Sequence, residues 1–192
     1  MPSYGAHAGT EILFGVTVAA WVVLETRQGL KRRPDAQMSD HGSHLIARAG
    51  VMAGWLVAVA AAHVPGAAIG AEPWCFLAGL AVVWSGIALR LWSFRTLGRY
   101  FTFRVQTRAD QPVISSGPYR LVRHPGYTGL ELTLLGFALL LGTWIGVVAM
   151  AVLPMLGLWN RIRVEERALT AALGEPYRAF AATRKKMIPF VW

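Results

Sequence analysis

Apolar residues fall into five long runs divided by polar stretches. The first covers residues 12–24, bracketed by Glu11 and Glu25. Extended to residues 9–27, it supplies the roughly 20 residues that cross a hydrocarbon core. Residues 45–64 form the second run, rich in small side chains such as Ala47, Gly50, Gly54 and Ala58. Small residues let membrane helices approach closely, which predicts a helix inside the bundle. The third run, residues 74–94, carries Arg90 near its end, where a long side chain is expected to snorkel to the interface. Residues 128–141 and 145–160 form the last two, separated by Gly142, Thr143 and Trp144, with Pro154 a candidate kink. Residues 161–180 are charged and keep helical spacing.

The pattern predicts an all-α integral membrane protein. A single membrane domain over 1–192 holds five transmembrane helices, and the last two form a helical hairpin. The longest polar connection, residues 95–116, alternates with period two over residues 100–106. Pro112, Val113 and Ile114 read as a second short strand, so a small hairpin is expected at the membrane surface. The tail, residues 184–192, begins basic and ends in an apolar cluster expected to fold back onto the membrane or the site.

Composition agrees. Of the 192 residues 55% are hydrophobic and only 15% charged, and the mean hydropathy is +0.43, too apolar for a soluble domain. Eight Trp fit interfacial belts. Cys75 is the only cysteine, which excludes an intramolecular disulfide and a cysteine metal site. His41 and His44 lack a third ligand and read as solvated loop histidines, so no metal is expected. Residues 1–10 hold no Lys or Arg and lack a secretory n-region, so the first helix is expected to stay in the mature protein.

The net charge of +9 could suggest nucleic acid, but its placement argues otherwise. All 19 Lys and Arg lie in the first and third connections, in the C-terminal segment, or in helix ends beside them. Residues 65–73 and 142–144 hold none. That alternation predicts the N-terminus outside and the C-terminus in the cytoplasm, with the charge serving orientation and anionic lipid.

Residues 116–127 are the richest in candidate chemistry. Gly117-Pro118 reads as a turn. Pro125 suits the first position of a helix, with His124 as its cap. A helix start with unused N–H groups is an anion site, to which Arg120 and Arg123 add charge and Tyr119 and Tyr127 aromatic faces. A plain membrane-surface linker accounts for the same residues. Arg161 and Glu165 share a helix face at i,i+4 and read equally as a surface ion pair. Glu131, one turn past Tyr127 and inside the fourth run, reads as a structural partner for Arg90 or Arg161, or as a chemical group.

Together the motifs resemble the isoprenylcysteine carboxyl methyltransferase family. They are Gly117-Pro118-Tyr119, Arg123-His124-Pro125-x-Tyr127, Arg161-Ile162-x-x-Glu165-Glu166-x-x-Leu169, Gly174-x-x-Tyr177, Arg184 and Ile188-Pro189-Phe190. The match covers about residues 100–192, the expected catalytic part. Leu173, Phe180 and Gly126 depart from the residues usual there.

The resemblance implies S-adenosylmethionine as methyl donor and the carboxylate of a prenylated cysteine, or a similar isoprenoid or lipid acid, as acceptor. No Gly-x-Gly-x-x-Gly follows a strand, so the donor is expected in the cytoplasmic loops and helix ends. His124, Pro125, Gly126 and Tyr127 are expected at its carboxylate, Tyr119 or Tyr127 at its sulfonium, and Glu165 at its hydroxyls or amino group. Gln111, Pro112, Val113 and Ile114 are implied at its adenosine end, with Gln106 or Arg104 nearby. Arg161 and Glu165 are the expected catalytic pair, Arg161 orienting the acceptor carboxylate. Arg123 and Glu131 complete the acceptor side. The rival readings are an NADPH-dependent membrane reductase of the sterol type, a phospholipid N-methyltransferase, and a non-catalytic lipid-binding protein.

Overall fold

A computed structural model describes residues 8–29, 37–38, 42–69, 73–101, 106–107 and 112–192. They form six α-helices: α1 (Ala8–Gly29), α2 (Ser43–Ala61), α3 (Pro73–Leu97), α4 (Pro125–Leu141), α5 (Trp144–Leu173) and α6 (Glu175–Thr183). Four helices, Ala8–Gly29, Ser43–Ala61, Trp74–Tyr100 and Trp144–Leu173, are long and apolar enough to cross a membrane by length and composition. α4 is apolar but has only 17 residues. Their outward faces carry bare large apolar side chains, among them Ile12, Leu56, Leu77 and Leu156. This is an integral membrane architecture, in which lipid replaces water around the helices.

Two tight antiparallel pairs make the body, and glycines set their spacing. In α2 against α5, a Cβ on Gly50 would lie 2.5 Å from the Leu153 carbonyl oxygen, and one on Gly157 would lie 2.7 Å from the Ala47 Cα. In α3 against α4, a Cβ on Gly136 would lie 2.5 Å from the Val83 nitrogen, and one on Gly86 would lie 2.5 Å from the Thr133 nitrogen. Backbones this close gain dispersion contact where lipid offers no hydrophobic drive.

The small residues of α2 thus allow the close approach expected of them. The helix is not enclosed, however: Leu45, Ile46, Met52 and Leu56 are exposed. The enclosed helix is α4, which buries ten of its residues between α3 and α5. Phe137 at its centre is fully buried, with rings of Phe14, Trp21 and Trp55 around it at 6.2, 5.5 and 5.3 Å. α1 joins the body through these aromatic contacts and is otherwise little buried.

Connections of like charge gather at the same end. A bridge between Ala68 and Thr143 joins the two connections that hold no Lys or Arg. At the other end β1 (Gln37–Met38) pairs antiparallel with β2 (Gln106–Thr107), and Val122 bridges Lys185. This corrects the expected hairpin. The described partner of β2 comes from the first polar connection, and Pro112, Val113 and Ile114 form no strand. Val113 and Ile114 pack instead on Tyr119, Tyr177 and Phe180, so side-chain burial replaces ladder pairing.

α5 has 30 residues, or about 45 Å at 1.5 Å per residue. About 20 suffice to cross, so its last third stands out of the apolar layer at the charged end. The Pro154 kink was only a candidate, and α5 runs unbroken through that proline.

Candidate functional site

A cavity of about 620 Å³ opens at the charged end, with walls from all five long helices and α6. Its floor is the start of α4. His124 is the N-cap and Pro125 the first helical residue, as the sequence implies. The expected row of free donors is shorter than the sequence suggested. Pro125 has no N–H, and the Tyr127 and Thr128 N–H groups already donate to the His124 carbonyl at 3.0 and 3.2 Å. The C-terminal segment fixes this turn from below: the Arg123 and His124 N–H groups donate to the Lys185 and Lys186 carbonyls, both at 2.8 Å.

The two motif segments meet here. Arg161 Nε donates to the Tyr127 hydroxyl at 2.8 Å, and that hydroxyl donates to Glu165 Oε2 at 2.7 Å. Arg161 Nη1 also reaches the Ser43 hydroxyl of α2 at 3.3 Å. Arg123 pairs with Glu166 at 2.9 Å, and His124 Nε2 lies 3.2 Å from the same carboxylate oxygen. Lys186 is 3.9 Å from the other oxygen of Glu166. Arg161 is only 6% exposed, so its charge acts in a low dielectric, where removing one partner is costly.

Glu166 stands on the protruding part of α5. Burial pushes its pKa up, but the hydrogen bond and charge of His124 and the charges of Arg123 and Lys186 outweigh that, and the carboxyl sits below its ordinary range. Tyr119 and Tyr177 are pushed well above the usual phenol range, first by burial, then by the charge of Glu165 at Tyr119 and by those of Glu166 and Glu165 at Tyr177. Both remain neutral hydroxyls. The Tyr177 hydroxyl and Arg123 Nε are buried without a partner among the described residues, donors that a bound polar group can satisfy.

Of the residues named from sequence, Pro112, Val113, Ile114, Tyr119, Arg123, His124, Gly126, Tyr127, Arg161 and Glu165 line the cavity. Pro125 is buried beneath it. Gln106 is described through its backbone, while Arg104 and Gln111 lie outside the described residues. Glu131 is buried but does not line the cavity, and neither carboxylate oxygen has a hydrogen-bond partner among the described residues.

The partner that Glu131 was expected to provide for Arg90 is Glu25. Arg90 holds both Glu25 oxygens and donates to the Gly126 carbonyl at 2.7 Å. Arg90 therefore does not snorkel; it is buried and ties α1 and the start of α4 to α3. Opposite charges at the same ends of the first and third runs were the available signal. His44 is no solvated loop residue either. It lies in the first turn of α2, half-buried, and lines the cavity; His41 lies outside the described residues.

Residues 78–171 match the model of the isoprenylcysteine carboxyl methyltransferase (ICMT) family. Over this stretch, just under half of its length, the chain is similar to that family. Among the proteins it resembles is the protein-S-isoprenylcysteine O-methyltransferase B of Arabidopsis thaliana, 30% identical over 120 residues. The match covers 62% of this chain and 61% of that protein, so the chain spans well under the full length of the relative. A steroid 5-alpha-reductase of the same plant is 29% identical over 119 residues, covering 62% of this chain and 43% of the reductase. The solved structure of the eukaryotic intramembrane Ras methyltransferase ICMT superposes with a TM-score of 0.72, covering 98% of this chain and 70% of that one. At 18% identity this establishes the shared ICMT fold.

Proposed function

We propose that the chain is an S-adenosylmethionine-dependent membrane methyltransferase that esterifies the carboxylate of a prenylated cysteine or a similar isoprenoid or lipid acid. The observation that carries this reading is the part-buried hydrogen-bonded chain from Arg161 through Tyr127 to Glu165 in the wall of the cavity. We further propose five spans, with α4 the short fourth. The N-terminus lies outside, and the cavity lies at the cytoplasmic face, as the sidedness of Lys and Arg supports.

The residues fit the donor. A cavity of about 620 Å³ is in the range that holds a drug-sized molecule. The unpartnered donors of Arg123 and Tyr177 suit a carboxylate or hydroxyls. Glu165 Oε1 has no hydrogen bond among the described residues and can accept from hydroxyls or an ammonium. Tyr119 and Tyr127 offer aromatic faces to a sulfonium. Val113 and Ile114, packed near Leu169 and Leu173, suit a flat apolar ring system. S-adenosylmethionine supplies a methyl group already activated by the positive charge on its sulfur.

The protein's task is then alignment and exclusion of water. Tyr127 holds Glu165 and Arg161 at fixed separation, and Arg161 places positive charge beside the acceptor carboxylate. No general base is required, because a carboxylate is already ionised at neutral pH. Methyl transfer from tritiated S-adenosylmethionine to N-acetyl-S-farnesylcysteine by the purified chain tests the proposal. Calorimetry with S-adenosylhomocysteine and NADPH tests it against the reductase reading that the steroid reductase match favours. NADPH binding with no binding of S-adenosylhomocysteine would overturn it.

A further inference from the structure

Among the described residues four arginines line the cavity: Arg48, Arg90, Arg123 and Arg161. Three are already engaged. Arg90 holds Glu25, Arg123 holds Glu166, and Arg161 donates to Tyr127 and Ser43. Arg48 has no ion-pair or hydrogen-bond partner among the described residues. An acid entering the cavity therefore meets in Arg48 a guanidinium with no donor engaged among the described residues, whereas Arg123, held by Glu166, offers only its Nε.

The surroundings of Arg48 define what kind of acid. His44, Arg48, Val51 and Met52 recur at helical spacing and line the cavity from α2. Polar side chains occupy the outer turn of that stripe and apolar ones the next. Trp21 of α1 lines the facing wall. The neighbouring acid on that wall, Glu25, is held by Arg90 and does not neutralise Arg48. Arg48 lies five residues from Ser43, about 7.5 Å along the helix axis, and Ser43 is the residue Arg161 reaches.

We propose that Arg48 is the binding residue for the acceptor's carboxylate, and that the acceptor's apolar chain lies along Val51, Met52 and Trp21 between α1 and α2. This rests on the methyltransferase reading and adds the acceptor subsite to it. The class of ligand it selects is an amphipathic monocarboxylic acid. Arg161 contributes charge while its Nε and Nη1 stay on Tyr127 and Ser43.

Calorimetry on the full chain in detergent, with N-acetyl-S-farnesylcysteine and its neutral carboxamide as probes, tests the assignment. The unmodified protein should bind the acid more tightly than the amide. Arg48→Gln should weaken the acid about tenfold or more and leave the amide unchanged, as expected for losing a hydrogen-bonded charge. Arg48→Lys should fall between the two, since it keeps the charge and loses the planar fork. An acid preference that survives both substitutions overturns the proposal and marks Arg48 as a lipid-headgroup contact. So does an unmodified protein without the preference, or equal weakening of both probes. S-adenosylhomocysteine binding in the same samples reports separately on the methyltransferase reading, because it does not require Arg48.

Discussion

Replacing Tyr127 by phenylalanine removes one oxygen from the centre of the site and little else. The ring still stands beside His124, 5.7 Å away, so no cavity opens. The lost hydroxyl made two short hydrogen bonds, one to a guanidinium and one to a carboxylate. Bonds to charged groups contribute about 1.5–3 kcal/mol each. Glu165 is 28% exposed and recovers part of its loss from water, whereas Arg161 at 6% does not. A combined loss of about 2–3 kcal/mol follows, or about 30- to 160-fold in kcat/KM. The assay is tritium transfer from labelled S-adenosylmethionine at varied acceptor concentration, with the thermal midpoint measured on the same preparation. A folded Tyr127→Phe protein within about threefold of the parent would show that the hydroxyl does not organise Arg161 and Glu165.

Glu25→Gln should loosen α1, since Arg90 then keeps only the Gly126 carbonyl among these partners. A fall in thermal stability of about 1–3 kcal/mol is expected, and a double-mutant cycle with Arg90→Gln should show strong coupling. Gly50→Ala drives a Cβ to 2.5 Å from the Leu153 carbonyl oxygen and should cost about 1–3 kcal/mol. Gly15→Ala, with nothing within 4 Å, should be neutral or stabilising, and thermal unfolding in detergent compares the two. The lowered pKa of Glu166 makes its contribution complete above the ordinary carboxylate range and lost as pH falls through its folded value. S-adenosylhomocysteine binding followed downward in pH should show that loss in the parent, and Glu166→Gln should be weaker at neutral pH with a flatter acid limb.

Much of this protein is local in origin and was legible in the chain. Five apolar runs, the Lys and Arg restricted to alternate connections, and the His124-Pro125 helix start each follow from residues close together in sequence. The family motifs also brought residues 123–127 and 161–165 to one end of the last hairpin, where Tyr127 does join Arg161 to Glu165. What the tertiary structure decided depends on how helices rotate against one another. The glycine contacts of α2 with α5 and of α3 with α4 set those rotations, and they link residues about a hundred and about fifty positions apart. Only then does Arg90 face Glu25, leaving Glu131 unpaired among the described residues, and only then does Arg48 look into the cavity. The strand pairing failed for the same reason. A two-residue strand has too little local signal to choose a partner, and the approach of the first and third polar connections made the choice.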